Sequence, residues 1–171
     1  GIEHGIEASN SGHYVVMSPT NYVYIDYMQG DLSTEPRVYS SLRLNQTYQF
    51  DPIPEGANAK YILGGQANLW TEQIYNIRQV EYMVWPRGFA VAESLWSLKE
   101  KKDWNRFASK AEDHFARFDY ARIKYSPAIY DPIVKVAKEG EKLMVTLTTE
   151  IEGLDIYASF DASTPDNFYP V

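Results

Sequence analysis

Two short, continuous apolar runs constrain the fold of this chain more than any other feature of its sequence. Residues 14–17 read Tyr-Val-Val-Met, and residues 61–63 read Tyr-Ile-Leu and lead into Gly64 and Gly65. A continuous apolar run, unlike an alternating one, is typical of a strand that is buried on both faces of a parallel sheet. Glycines within such a strand indicate close packing of another chain segment against the backbone.

Helical patterns surround both runs, which predicts an α/β fold with a parallel sheet. The helical stretches are residues 1–10, 74–85, 87–96 and 103–121. Pro86 separates the second stretch from the third, and Asp103 is a favourable N-cap for the fourth, whose apolar stripe indicates core packing. Two strands are too few for such a sheet, so either its other strands are missing or the helices fold around an incomplete sheet.

The segment between the two runs has less regular patterns. Residues 22–27 continue the first run in an extended pattern. Residues 30–58 are rich in polar residues and contain three prolines, which predicts a long connection. Connections of this length in a compact domain are usually functional or contain short helices of their own.

The pattern changes near residues 125–131, where we place a domain boundary. Beyond it, residues 133–137, 142–148 and 155–160 predict strands, and the chain then ends without closing a sheet. Residues 126–171 are therefore expected to form a β-only, truncated part. The chain begins without an initiator Met or a signal peptide, so we expect it to be cut from a longer protein.

Composition and charge exclude several classes of partner. The net charge is -7 and the basic residues are scattered, which argues against nucleic acid. The chain has no cysteine, and its histidines, His4, His13 and His114, lack the spacing of metal ligands, so we expect neither thiol chemistry nor a metal or other cofactor. No apolar run approaches the length needed to cross a bilayer, so no membrane partner is expected.

Each apolar run leads into a motif with an aromatic residue two positions before a carboxylate. Tyr24 and Asp26 follow the first run, and Trp70 and Glu72 follow the second. Residues two apart face the same side of an extended chain, and active sites of parallel α/β folds lie at the carboxyl ends of the strands. An aromatic ring packs against the C–H face of a sugar and a carboxylate accepts hydrogen bonds from its hydroxyls, which favours a saccharide pocket. The alternative is that Trp70 lies in the core and Glu72 caps or ion-pairs with the next helix.

Longer segments resemble one enzyme family, the family 20 glycoside hydrolases or β-N-acetylhexosaminidases. The resemblance rests on HYVVMSPTNYVYIDYMQGD, LGGQANLWTEQI, EYMVWPRGFAVAESLW and KDWNRFASKAEDHFARFD, which follow one another in that order. It covers residues 1–125 and implies an α/β fold, namely the C-terminal part of a (β/α)8 TIM barrel with its last two strands. Residues 133–171 resemble the start of a β-sandwich module that often follows this barrel, so a truncated β-sandwich segment is expected there.

The resemblance also implies a reaction. Enzymes of this family remove terminal N-acetylglucosamine or N-acetylgalactosamine from glycans, with the 2-acetamido group of the substrate as nucleophile. An adjacent Asp-Glu pair serves the reaction, Glu as general acid/base and Asp as the residue that orients the acetamido nitrogen. No Asp-Glu dipeptide occurs in these 171 residues, so the isolated chain is expected to be inactive.

The family pattern assigns a role to each residue of the two motifs. Tyr24 matches a tyrosine whose hydroxyl donates to the acetamido oxygen, which makes it the catalytic residue of this chain. Among substrate-binding residues, Asp26 matches an acid near the outer hydroxyls of the sugar, Trp70 a wall of the pocket, and Glu72 the carboxylate that holds the 4- and 6-hydroxyls. Some relatives have a further tryptophan after the Tyr-x-Asp motif, whereas residues 27–50 contain none, so the leaving-group side is unassigned.

Two other interpretations stay open from the sequence. A non-catalytic carbohydrate-binding or interaction module would use the same aromatic and acidic residues together with the β-rich tail. A structural fragment would instead self-associate through the exposed surfaces of a half-barrel. Enzymes that degrade glycans from their ends are commonly exported, so we expect the parent protein to be periplasmic or extracellular.

Overall fold

The computed structural model describes residues 1–31, 35, 37–159, 161, 163–165 and 167–169. Only the backbone is described for residues 167–169. The chain divides into two units, Gly1–Ser126 and Pro127–Val171. The helices are α1 (Ile2–Asn10), α2 (Thr20–Val23), α3 (Leu44–Tyr48), α4 (Ile77–Val84), α5 (Arg87–Trp96) and α6 (Trp104–Ala121). The strands are β1 (Val15–Met17), β2 (Ile62–Gly65), β3 (Ile133–Glu139), β4 (Lys142–Thr148), β5 (Ile156–Ala158) and β6 (Asn167–Tyr169).

Strands β1 and β2 pair in parallel, as the two apolar runs predict, but the expected burial on both faces is wrong, because Val16 is 50% and Leu63 is 67% exposed. The register aligns Val16 with Gly64 and Met17 with Gly65, after an irregularity between Val15 and Val16. Parallel pairing resumes after α2, where Tyr24 and Asn68 form an isolated bridge. The two chain segments therefore run side by side well beyond the strands themselves.

Gly65 allows the core to approach β2 closely. A Cβ atom at this position would lie 2.6 Å from Phe50 Cε1 and 3.0 Å from Leu95 Cδ2. Phe50 belongs to a buried cluster with Met17, Val23 and Val91. The expectation that a glycine in this strand marks close packing is confirmed at Gly65.

Helix α6 follows the predicted pattern. The Asp103 carboxylate accepts a hydrogen bond from the amide of Arg106 at 2.8 Å, which satisfies one of the free amides of the first turn. The apolar stripe is buried at Phe107, Ala108, Ala111, Phe115 and Phe118. The predictions that Asp103 is the N-cap and that the apolar stripe packs in the core are both confirmed.

The extended conformation expected for residues 22–27 is wrong. The carbonyl of Pro19 accepts hydrogen bonds from the amides of Tyr22 and Val23, which closes the short helix α2. Ile25 and Asp26 then form a turn. The long connection that follows contains a helix of its own, α3, and part of it, Leu32–Thr34 and Pro36, lies outside the described residues.

The described residues of the second unit include two antiparallel strand pairs. Strands β3 and β4 form a hairpin with Gly140 and Glu141 as its turn, and Gly140 adopts a φ of 63°. A positive φ at the first position is typical of the turns that fit the twist of a two-residue hairpin. Strand β5 pairs with β6, a strand that the sequence pattern did not predict.

None of the helices in the described ranges is long and apolar enough to cross a membrane.

We expect Gly65→Ala to destabilise the first unit by about 1–3 kcal/mol, because the added methyl group must displace a well-packed ring. Urea unfolding followed by tryptophan fluorescence would measure this. Leu63→Ala is a matched control on the same strand, since the Leu63 side chain is 67% exposed. Equal unfolding midpoints for the two variants would contradict the assignment of Gly65 as a packing position.

Candidate functional site

The two aromatic residues of the motifs come together where the parallel segments end. The ring centroids of Tyr24 and Trp70 lie 6.3 Å apart, with 56° between the ring planes. The backbone holds them there, because the Asn68 amide donates to the Val23 carbonyl at 2.9 Å and the Ile25 amide donates to the Asn68 carbonyl at 2.8 Å. One aromatic residue from each segment therefore contributes to a single surface.

Asp26 is buried beside this surface. Its side chain is 3% exposed, and among the described residues its Oδ1 atom has no hydrogen-bond partner. Burial raises the pKa of the Asp26 carboxyl, and the negative charge of Glu72 raises it further, while its own backbone amide and the positive charge of Arg87 lower it. The structure thus places the two motif carboxylates within electrostatic reach of each other.

Trp70 and Glu72 are both exposed, in contrast to Asp26. Trp70 is 51% exposed, so the alternative that it lies in the core is wrong. Helix α4 is capped by Asn76, whose side chain accepts from the Gln79 amide at 3.0 Å, so Glu72 does not cap it. These two side chains are available to a ligand.

The aromatic surface extends beyond the predicted pair. Tyr27 lies 6.1 Å from Tyr24 and 6.4 Å from Tyr39, measured between ring centroids. Trp70, Tyr24, Tyr27 and Tyr39 therefore form a row of four rings. Sequence analysis missed Tyr27 and Tyr39 because neither belongs to the motifs, although the high tyrosine content is a signal for such a surface.

Arg87 is the second feature that sequence analysis missed. Its guanidinium group is fully buried and donates to four backbone carbonyls, at 2.6–3.1 Å, those of Ile25, Tyr27, Leu42 and Met83. Burial lowers its pKa to about 9, against the opposing effect of Glu35 and Asp26, so it carries a positive charge at neutral pH. The only signal in the sequence is a basic residue at the start of an otherwise apolar helix.

Other features of the described residues lie apart from these side chains. A cavity of about 320 Å³ between α5 and α6 is lined by residues such as Phe89, Trp96 and His114 and by none of the four motif residues. In the part of the chain that the structure describes, no group of three or more His, Asp or Glu residues could hold a metal ion. The arrangement suits recognition of a ligand with apolar faces and hydroxyl groups by aromatic rings and carboxylates.

Comparisons with known proteins agree on one family. Residues 2–99 match the model of the catalytic domain of glycosyl hydrolase family 20. A β-hexosaminidase of Porphyromonas gingivalis is 37% identical over 130 residues, which cover 73% of this chain and 17% of that protein. The fold resembles the exo-β-N-acetylglucosaminidase of Vibrio harveyi in complex with N-acetylglucosamine, with a TM-score of 0.68, 30% identity, and coverage of 75% of this chain and 21% of that chain.

A second solved structure supports the same relationship. The N-acetyl-β-hexosaminidase of Streptomyces plicatus in complex with Thio-NAglucal has a TM-score of 0.66 and 26% identity, over 72% of this chain and 25% of that one. The chain spans about a fifth of the length of the β-hexosaminidase of P. gingivalis and about a quarter of that of the enzyme from Cellulomonas fimi. The family model covers more than half of the chain, and the chain therefore belongs to glycosyl hydrolase family 20.

Proposed function

We propose that this chain forms the sugar-recognition part of an exo-β-N-acetylhexosaminidase that releases terminal N-acetylglucosamine or N-acetylgalactosamine from glycans. The observation that carries the proposal is the contact between the Tyr24 and Trp70 rings at the end of two parallel segments, with Asp26 and Glu72 beside them. The names of the relatives, which are β-hexosaminidases and a chitobiase, support this substrate class.

In the proposed site, the four motif residues contact different parts of the sugar. The Tyr24 hydroxyl donates to the acetamido oxygen of the substrate and aims it at the anomeric carbon, so that a reactive group already in the substrate attacks in a fixed geometry. Trp70 packs against the sugar ring, and its exposure leaves one face of the indole free for this contact. Glu72 and Asp26 accept hydrogen bonds from the outer hydroxyls of the sugar.

The acid/base of the reaction has to come from another part of the parent protein. These 171 residues contain no Asp-Glu pair, and the relatives are several times longer than the chain. We therefore propose that residues 1–125 are the C-terminal part of a (β/α)8 barrel whose earlier strands carry the pair. Residues 126–171 would be the start of a β-rich module that follows the barrel.

Hydrolysis of an aryl N-acetyl-β-glucosaminide is expected only when the chain is extended upstream to include the Asp-Glu pair. The isolated chain should release no chromophore, because it holds the sugar-binding side chains without the acid that protonates the leaving group. Activity in the isolated chain would mean that a carboxylate within residues 1–171 performs acid catalysis, and the division of roles would be wrong.

Tyr24→Phe in the extended protein should lower kcat by about 100-fold or more, the usual effect of removing one hydrogen-bond donor from a developing charge. Steady-state kinetics with the same aryl substrate would measure it. Tyr120→Phe is the control, because the Tyr120 side chain on α6 is 93% exposed and lies outside the motifs. A Tyr24→Phe variant with the kcat of the Tyr120→Phe variant would exclude Tyr24 from catalysis.

A further inference from the structure

Arg87 clamps the peptide groups on both sides of Asp26. Its Nη2 atom donates to the Ile25 carbonyl at 2.6 Å, and its Nη1 atom donates to the Tyr27 carbonyl at 2.8 Å. These are the carbonyls of the residues immediately before and after Asp26. A single rigid side chain therefore fixes the backbone turn from which the Asp26 carboxylate projects.

The same guanidinium ties this turn to two other parts of the unit. Nη2 also donates to the Met83 carbonyl in the last turn of α4, at 2.8 Å, and Nη1 to the Leu42 carbonyl at 3.1 Å. Arg87 is the first residue of α5 and bonds to Met83 in α4, so its contacts fix the turn around Asp26 relative to both helices. A lysine could not reproduce it, since an ammonium group lacks the planar fork of the guanidinium.

A second set of contacts holds the residues that follow. The Glu35 carboxylate accepts hydrogen bonds from the amides of Gln29 and Gly30 at 2.9 and 3.0 Å, and from the Tyr82 hydroxyl at 2.8 Å. The Gln29 side chain in turn donates to the Tyr82 carbonyl. The segment 25–30 is thus bound to α4 and α5 along its whole length, although it forms neither a helix nor a strand.

Charge gives the clamp a second effect on the site. The positive charge of Arg87 favours the anionic form of Asp26, whereas burial and the negative charge of Glu72 disfavour it. On the other side, the charges of Glu35 and of Asp26 itself favour the cationic form of Arg87.

We propose that Arg87 is a positioning residue for sugar binding, which holds Asp26 in place through hydrogen bonds to the carbonyls on either side of it. This inference rests on the proposed function, because it takes the sugar hydroxyls as the partners of Asp26. Arg87 itself has no direct contact with the substrate in this proposal.

Two substitutions of Arg87 in the extended protein separate the positioning of Asp26 from the effect of the Arg87 charge on the pKa of Asp26. Arg87→Lys keeps the charge but loses the fork, and we expect kcat/KM for the aryl substrate to fall about 10- to 100-fold, the range expected for the loss of one hydrogen bond to a charged group. Most of the loss should appear in KM, because the hydroxyls held by Asp26 do not react. Arg87→Gln also removes the charge, so the pKa of Asp26 should rise and the acidic limb of kcat/KM should move to higher pH.

Lys102→Met is the control for loss of a cation that bonds to backbone carbonyls away from the site. The Lys102 side chain is half-buried. Lys102 Nζ also donates to backbone carbonyls, those of Tyr48 and Phe50, and to the Ser94 hydroxyl. None of these residues belongs to the site. This variant should lose thermal stability without a change in KM or in the pH profile.

A double-mutant cycle with Asp26→Asn tests whether Arg87 acts through Asp26. If it does, Arg87→Lys should cost less than about threefold in the Asp26→Asn background, since coupled residues have non-additive effects. Fully additive losses, or an Arg87→Lys variant with normal KM and kcat, would overturn the inference. Wild-type protein that hydrolyses no amino-sugar substrate would instead refute the proposed function.

Hydrogen exchange of the wild-type protein keeps the inference testable even if the Arg87 variants do not fold. Peptides that cover residues 25–30 should exchange as slowly as peptides from α5, because Arg87 and Glu35 hold this segment as firmly as a helix. Exchange within seconds, as in an unrestrained loop, would show that no clamp exists and would overturn the inference without any substrate.

Discussion

The buried guanidinium of Arg87 is the interaction on which the geometry of the site depends. Removing an ion from water costs several kcal/mol even after relaxation, and the described hydrogen bonds of this ion go to four backbone carbonyls. Hydrogen bonds to a charged group contribute about 1.5–3 kcal/mol each, so four of them offset a cost of that size. The arrangement also satisfies the Ile25 and Tyr27 carbonyls, which lie outside the helices and strands.

Parallel pairing explains why the site lies where it does. Strands β1 and β2 start the two segments in the same direction, and the bridge between Tyr24 and Asn68 extends the alignment past α2. Both motifs therefore reach the same end of the unit, although Tyr24 and Trp70 are 46 positions apart in the sequence. Gly65 allows the Phe50 ring of the buried cluster to pack directly against β2, the strand that leads to Trp70.

Prediction from the sequence succeeded where a local pattern decides the structure and failed where a distant contact does. Helix α6 has its own N-cap and apolar period, and β1 and β2 are recognisable as continuous apolar runs. The turn at residues 25–26 is different, because it is held by carbonyl contacts to Arg87, some sixty residues later. The expectation that both motifs follow the carboxyl ends of neighbouring parallel strands correctly brought Tyr24 and Trp70 together, but the extended conformation assumed for residues 22–27 is not adopted.

Asp26 shows what the contacts of Arg87 contribute to the candidate site. Its carboxyl is almost completely buried and one of its oxygen atoms has no hydrogen-bond partner among the described residues. An unsatisfied buried acceptor costs stability, and burial raises the pKa of this group, so the fold by itself disfavours the anion. The positive charge of Arg87 counters part of this effect, because it lowers the pKa of the carboxyl. The hydrogen bonds of Arg87 to the Ile25 and Tyr27 carbonyls also fix the turn, so the carboxylate is already positioned before any ligand binds.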